Sequence, residues 1–440
     1  MRIKLLGLLF FSCLLLTSHT LQAQESLRFT LDQALAIALS ESNAVKIADM
    51  TVEKTGYARK GSYAALFPNI NANGSYQRTL LKQVMVMEMF GQVQEIQVGT
   101  SNNMNAGVSA SMPLVNAQLW ESLKLSALNV EMAVEQARSS KIAMVAQVKQ
   151  AFYGVLLASE SLNLMQQVYD NAVNNYGETI KKFNVGKASE VEKLRAQVTV
   201  MNAEPNVTSA QNAVLLAEWR LKALMGIDLE TELDVLGTLN DYTNELLTPF
   251  LINNDLDNNS ALQQLRIQSR QLDASIRALK FQYIPTLSAS ISYNYMAMSN
   301  SFDMKWKPYS VAGLSLNFPI FDGFSKHNSI RQSKITRNML DLQIEDTQRN
   351  LQIAMKNYND QIALNIKNYT AAKSAVEMAQ KSYDISAKMY EIGKTTLIEL
   401  NDAQLALTQA QLNMNQAIYN YMVAKASLDE LVGKDYPNKQ

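Results

Sequence analysis

The stretch Lys388–Gly433, KMYEIGKTTLIELNDAQLALTQAQLNMNQAIYNYMVAKASLDELVG, has a diverged copy earlier in the same chain. That copy is Lys181–Gly226, KKFNVGKASEVEKLRAQVTVMNAEPNVTSAQNAVLLAEWRLKALMG, at a constant offset of 207 residues. Identical residues at matching positions include Gly186 and Gly393, Lys187 and Lys394, Ala196 and Ala403, Ala210 and Ala417, Leu221 and Leu428, and Gly226 and Gly433. An internal duplication of this length indicates a structural repeat.

The spacing of apolar residues predicts what the repeat forms. Alternate steps of three and four residues through the second copy meet an unbroken apolar series: Leu400, Ala403, Leu407, Ala410, Met414, Ala417, Tyr421, Ala424, Leu428 and Leu431. The same register in the first copy is interrupted once, by Lys193. A 3.5-residue repeat is typical of helices packed along their length as a coiled coil. An ordinary amphipathic helix, the simpler alternative, would carry a wider apolar stripe.

The first residues predict export. A basic start, MRIK, precedes the apolar core Leu5–Leu16 and a polar run that ends at Ala23, so we expect a signal peptide over residues 1–23. The single cysteine, Cys13, lies inside it; lipidation there is an alternative, but Phe10–Ser12 makes a poor lipobox. The mature chain therefore lacks disulfides. Its 38 basic and 40 acidic residues give no reason to expect a nucleic-acid partner.

Two strand pairs interrupt the helical pattern. Thr30 and Gln33 fit a capping box that opens a helix to about Leu66, which Pro68 ends. Alternation of apolar with Ser, Asn and Gly residues then predicts strands around Ile70–Tyr76, Met104–Met112, Leu287–Tyr295 and Ser310–Phe318. A polar loop over about Gln83–Asn103 joins the first pair, and a loop with Trp306 joins the second.

Long stretches without helix breakers follow each strand pair. A continuous helix between Asn116 and Asn184 would be about 100 Å long, and Phe324–Glu391 is its partner in the second half. The predicted organisation is a signal peptide (1–23), a first repeat (24–226), a connector (227–259), a second repeat (260–433) and a C-terminal tail (434–440).

The four strands leave two interpretations open. They are a small water-soluble antiparallel sheet, or they contribute to an outer-membrane β-barrel with one face to lipid and one to water. Four strands cannot close a barrel, and open edges are not tolerated in hydrocarbon. Several chains would therefore share one barrel, with eight strands from two copies or twelve from three.

The motifs FTLDQALAIALSESN, LFPNI, YIPTL, MPLVNAQ, FPIFDGF, FNVGKASEVEKLRAQ and YEIGKTTLIELNDAQ resemble those of TolC-type outer-membrane efflux proteins. The resemblance implies a mainly α fold with membrane β-strands: a homotrimer with a shared twelve-stranded barrel in the outer membrane and a helical tunnel across the periplasm. It also implies a passive exit duct of a tripartite efflux or type I secretion system. Its partners would be outer-membrane lipid, a periplasmic adaptor (membrane fusion) protein and an inner-membrane transporter.

Two sets of candidate site residues follow from the resemblance. Adaptor docking is implied at the two hairpin ends, formed by Val185, Gly186 and Lys187 and by Ile392, Gly393 and Lys394. Channel constriction is implied at Glu399, Asp402 and Glu192. Arg195 occupies the position in the first repeat that corresponds to Asp402 in the second. Rings of like charge in a trimer would raise carboxyl pKa values and attract cations. A solvated helix face is the alternative, and Arg195 or Lys394 could pair with these acids.

Enzymatic chemistry is not expected. The mature chain has one histidine, His327, and no cysteine, and it has no G-x-S-x-G motif, so we expect no cofactor and no metal site. Met85, Met87 and Met89 alternate along a predicted loop, which would suit Cu(I), although methionines in such a row usually pack. Pro205 should bend its helix. The alternative function is an exported coiled-coil scaffold or adaptor without channel activity.

Overall fold

The computed structural model describes residues 27–89, 92–247 and 255–436. The predicted signal peptide, and Cys13 with it, lies outside these ranges. The described helices are α1 (Leu31–Glu41), α2 (Asn43–Ser62), α3 (Ala117–Asn184), α4 (Glu190–Met225), α5 (Thr243–Leu247), α6 (Ser260–Phe281), α7 (Ser325–Glu391) and α8 (Leu397–Leu431). The described strands are β1 (Leu27–Phe29), β2 (Asn69–Arg78), β3 (Gln83–Met89), β4 (Gln92–Val98), β5 (Asn102–Val115), β6 (Leu233–Val235), β7 (Thr286–Ser299) and β8 (Lys307–Asn317).

The chain divides into two compact units. Unit 1 comprises residues up to 47, 139–259 and 351 onwards, and it holds both reversals between long helices. Unit 2 comprises 48–138 and 260–350, and it holds the four-stranded sheet. Each unit therefore draws on both halves of the sequence.

The long helices were predicted correctly. α3 has 68 residues and α7 has 67, and each is followed by a shorter helix of 36 or 35 residues. Pro205 lies inside α4. Within the described residues, α3 alone is long and apolar enough to be a candidate membrane span, but 56% of the relevant window is buried in the chain. That burial is typical of a core helix.

The single helix predicted from Leu31 to Leu66 is wrong in detail. Thr30 and Gln33 form the expected capping box, but the chain leaves the helical conformation at Ser42, where ψ is 128°. The last turn, Tyr63–Leu66, is a 3₁₀ helix. The break lies where the Glu41 carbonyl packs close to the left-handed turn at Gly226, a contact that the local sequence does not indicate.

The sheet of unit 2 is antiparallel, in the order β2–β5–β7–β8. Its register aligns residues of like polarity. One row across the four strands is Ile70, Ala110, Ile291 and Ala312, and the neighbouring row on the other face is Asn71, Ser109, Ser292 and Val311. The sheet therefore has an apolar face and a face dominated by Ser, Asn and Gly.

Both outer strands of this sheet are exposed. Every described residue of β2 and of β8 is solvent-accessible in the single chain. Large apolar side chains are among them: Leu314 is 72% exposed, Ile70 69% and Leu316 68%. A water-soluble sheet would bury such residues, so this surface is incomplete without lipid or another chain.

The prediction of a polar loop over Gln83–Asn103 is wrong, because β3 and β4 form an antiparallel hairpin there. Alternation of Val with Met in β3, and of Val and Ile with Gln and Glu in β4, is a strand pattern. The Gln and Glu residues made this stretch look like a loop.

The connector is part of unit 1, where several contacts hold it to the strand β1 and to the long helices. β6 pairs in parallel with β1, a strand that the sequence did not indicate. Lys425 on α8 pairs with Glu245, whose carbonyl accepts a hydrogen bond from the Tyr421 hydroxyl at 3.1 Å. Burial opposes the charged form of Lys425, but the hydrogen bond and charge of Glu245 prevail and raise its pKa.

Candidate functional site

Both long hairpins of unit 1 reverse through the same turn. Gly186 has φ of +71° and Gly393 has φ of +74°. The next residue in each turn closes a Schellman-type bond: Lys187 N–H donates to the Lys182 carbonyl, and Lys394 N–H to the Met389 carbonyl, both at 2.8 Å. Glycine is needed at both positions because it adopts this left-handed conformation without steric cost.

The helix after each turn begins with a capping box. Glu192 accepts from Ser189 N–H at 2.7 Å, and its own N–H donates to Ser189 Oγ at 3.2 Å. Glu399 accepts from Thr396 N–H at 3.5 Å, and its N–H donates to Thr396 Oγ1 at 3.3 Å. Two of the three predicted constriction acids therefore also have a structural role. The spacing S/T-x-x-E would have shown it.

The remaining candidate residues lie at or next to these turns. Val185 is 68% exposed and Ile392 65%, at equivalent positions of the two repeats. Glu399 and Asp402 are exposed, three residues apart on α8, and Glu192 is half-buried. Three-residue spacing puts Glu399 and Asp402 on the same face of α8. Within the described ranges of this single chain, no ion pair joins these acids to Arg195 or Lys394.

A buried cluster joins the two hairpins just behind the turns. It comprises Ala196 from α4, Tyr390 from α7, and Leu397 and Leu400 from α8, with Tyr176, Tyr383 and Ala387 packed against it. These residues come from all four long helices of unit 1. The cluster therefore fixes one hairpin against the other.

Tyr390 is the polar centre of this cluster. Its hydroxyl is hydrogen-bonded to Thr179 Oγ1 at 2.8 Å, and Lys182 Nζ lies 3.9 Å from the ring centroid and donates to the Tyr390 carbonyl at 2.8 Å. The sequence pattern did not indicate that Tyr390, Thr179 and Lys182 are in contact. Thr179 precedes the stretch in which the repeats were matched, so nothing marked it as a partner.

The corresponding position in the first repeat is Phe183, which has no hydroxyl. Lys193 Nζ lies 4.8 Å from the centroid of its ring. Lys193 is the one residue that interrupts the apolar series of the first repeat, and this cation–π contact accounts for it.

Other apolar residues at heptad spacing remain uncovered in the single chain. On α4 these are Val191, Leu194, Val198 and Met201, which are 51–62% exposed. On α7 and the turn after it they are Leu364, Met378, Ile385 and Ile392, which are 56–65% exposed. Such stripes are typical of helices that pack against further helices.

Comparison with known proteins agrees with this geometry. The outer membrane efflux protein family matches residues 34–227 and 251–434. The chain belongs to this family. It is an outer-membrane channel that serves as an exit duct for efflux. The predicted resemblance, function and outer-membrane location are thereby confirmed.

Individual relatives span most of the chain at low identity. TolC of Escherichia coli is 23% identical over 76% of this chain and 70% of its own length. CzcC of Cupriavidus metallidurans, a cobalt-zinc-cadmium resistance protein, is 25% identical over 66% of this chain and 67% of its own. The crystal structure of the Campylobacter jejuni CmeC outer membrane channel superposes with a TM-score of 0.76 at 16% identity, over 93% of this chain and 87% of CmeC.

The turn glycines give a test of the hairpin geometry. An alanine Cβ at Gly393 would meet no atom within 4 Å, so only the positive φ opposes it. We expect Gly393→Ala to lower the free energy of unfolding by about 1–2 kcal/mol, measured by denaturant titration.

Gly154, inside α3, provides the matched control because its Cβ would also meet nothing within 4 Å. Gly154→Ala should raise stability by roughly 0.5–1 kcal/mol, since alanine favours the helix. Changes of the same sign in both variants would contradict the assignment of the left-handed turn.

Proposed function

We propose that this family member acts as a homotrimer, in which three copies of the β2–β5–β7–β8 sheet form one twelve-stranded barrel in the outer membrane. The observation that carries this proposal is the two-faced sheet with open edges. In hydrocarbon the unpaired backbone groups of β2 and β8 would each cost several kcal/mol, so the edges must pair with other copies. Twelve strands leave room for a channel, whereas eight are filled by side chains.

The polar face of the sheet suits a water-filled lumen. Its alternate positions over 69–77, 103–111, 288–296 and 309–317 contain no charged residue. Ser and Asn side chains can hydrogen-bond water in such a lumen, and the opposite face presents Leu, Ile and Ala to lipid.

The uncovered heptad stripes support the same assembly. Residues Val191, Leu194, Val198 and Met201 would pack against helices of a neighbouring copy, since each is more than half exposed to solvent in the described part of the single chain. The matching turns at Gly186 and Gly393 support two structural repeats (24–226 and 260–433). Three chains would then contribute six hairpins to one tunnel. A scaffold without channel activity is not favoured, because the family consists of outer-membrane efflux channels.

We further propose that Glu399 and Asp402 form acidic rings at the narrow end of this tunnel. Both carboxylates are exposed and share a helix face near the turn. Because Glu399 also caps α8, the test uses neutral isosteres of both carboxylates, which remove the charge and preserve the cap. Glutamine still accepts the Thr396 bond.

In planar bilayers, we expect Glu399→Gln/Asp402→Asn to raise the half-blocking concentration of La³⁺ by about tenfold or more, because the acidic rings concentrate cations at the entrance. Single-channel conductance of the purified protein is the measurement. Asp303→Asn, which removes an exposed charge from the β7–β8 loop, should be blocked by La³⁺ at the same concentration as the wild type. Unchanged block in the double variant would refute the constriction, and failure of the wild type to insert would refute the barrel.

The Tyr390 contact is proposed to favour the closed tunnel, since it ties the two hairpins of each chain together. Tyr390→Phe removes a buried hydrogen bond worth about 1 kcal/mol per chain. We expect the ratio of closed to open states to fall about fivefold per chain, seen as higher mean conductance.

Tyr383→Phe is the control for this prediction. Tyr383 packs against the same cluster, and burial raises the pKa of its hydroxyl, but within the described residues that hydroxyl has no hydrogen-bond partner. The mean conductance of Tyr383→Phe should equal that of the wild type. Equal conductance in Tyr390→Phe and the wild type would show that the contact does not restrain opening.

Docking of a periplasmic adaptor is proposed at the two turns, with an inner-membrane transporter supplying the cargo. Val185 and Ile392 offer exposed apolar side chains, and Lys187 and Lys394 add a positive charge to each turn. Uncompensated apolar exposure of this kind favours a protein contact.

We expect Val185→Asp/Ile392→Asp to weaken adaptor binding at least about tenfold, since a carboxylate would be desolvated in the contact. Surface plasmon resonance with the purified adaptor measures this, with unchanged conductance showing an intact channel. Val93→Asp in β4 is the control, because Val93 is 70% exposed but distant in sequence from both turns. Wild-type affinity in the double variant would exclude docking at the turns.

A further inference from the structure

The β3–β4 hairpin is a separate two-stranded sheet between β2 and β5. A hydrogen bond from Thr79 N–H to the Ser101 carbonyl, at 2.8 Å, closes its base. All of its side chains that the structure describes are exposed. The hairpin contributes nothing to the four-stranded sheet, and the proposed duct assigns it no task.

One face of this hairpin carries two methionines. Met85 pairs with Ile96, and Met87, two residues further along β3, lies on the same face. Met85 is 45% exposed and Met87 43%. Met89 follows at the same spacing, but its side chain is outside the described part of the structure.

The exposure of Met85 and Met87 argues against a role in packing. A methionine that fills a core is buried, whereas nearly half of each of these side chains is accessible. The carboxylates of the hairpin, Glu88 and Glu95, occupy the alternate register on its other face. The methionine face therefore offers thioether sulfur without a carboxylate, and Gln94 is the cross-strand partner of Met87 on this face.

We propose that Met85 and Met87 form a thioether site for a soft monovalent cation, Cu(I) or Ag(I). Their Cα atoms are about 6.7 Å apart along the strand, and methionine has three rotatable bonds, so both Sγ atoms can converge on one ion. Thioethers select Cu(I) and similar soft ions over hard divalent ones. The site belongs to one chain, and it does not depend on the trimer or on transport.

Silver titration of the purified full-length protein in detergent and chloride-free buffer tests this proposal. Bound Ag(I) is counted by equilibrium dialysis, and affinity is measured by calorimetry. Met85→Leu/Met87→Leu keeps side-chain volume and removes both sulfurs. We expect this variant to lose one bound Ag(I) per chain relative to the wild type.

A control is needed because the sequence contains 21 methionines. Met298→Leu/Met339→Leu removes two exposed methionines from separate elements, β7 and α7. This variant should keep the ion that the hairpin double variant loses. Equal Ag(I) stoichiometry in the hairpin variant and the wild type would overturn the proposal.

Single variants establish whether the two sulfurs act together. Met85→Leu and Met87→Leu should each weaken binding of that ion by about tenfold or more, since one thioether remains. Full affinity in either single variant would overturn the two-ligand site. Zn²⁺ should not compete with Ag(I), and competition at similar concentration would show that oxygen ligands, not these thioethers, hold the ion.

Discussion

Unpaired backbone groups at the edges of the β2–β5–β7–β8 sheet are the constraint on which the rest of this structure depends. The N–H and C=O groups of β2 and β8 that point away from β5 and β7 need partners, and hydrocarbon provides none. The chain is therefore incomplete alone in a membrane. In the proposed trimer, closing the barrel would also bring together the helices that follow each strand pair. Their exposed heptad stripes then have a physical reason, because the same assembly that satisfies the sheet edges can cover them.

The sequence predicted elements whose periodicity extends over many residues. α3 and α7 were found from long breaker-free stretches, and the four sheet strands from their alternation. Elements that depend on contacts distant in sequence were missed. Parallel pairing of β1 with β6 joins segments about 200 residues apart, and the break at Ser42 packs close to the turn at Gly226. The β3–β4 hairpin was missed because Gln and Glu in exposed strands resemble loop composition.

The candidate site was predictable to a similar extent. Gly186 and Gly393 were located from the sequence, because a left-handed turn leaves a clear residue preference. The S/T-x-x-E spacing indicates a capping role for Glu192 and Glu399, which was not predicted. This role changes how the acids are interpreted: a glutamate three residues after Ser or Thr is explained by the cap alone, so Asp402, which has no such role, is the stronger indication of a charged entrance. The Tyr390–Thr179 contact could not be predicted, since one partner lies outside the matched stretch.

The differences between the repeats are as informative as their likeness. Both turns share backbone geometry, but the aromatic residue before each has diverged: Tyr390 is buried and bonded to the other hairpin, while Phe183 contacts Lys193 of its own hairpin. A buried hydroxyl pair favours one relative position of the two hairpins, because separating it leaves polar groups unsatisfied. A cation–π contact within one hairpin places no such condition on the other. Separating the two hairpins of the proposed tunnel would therefore break the hydrogen bond at Tyr390, whereas the Phe183–Lys193 contact could persist within its own hairpin.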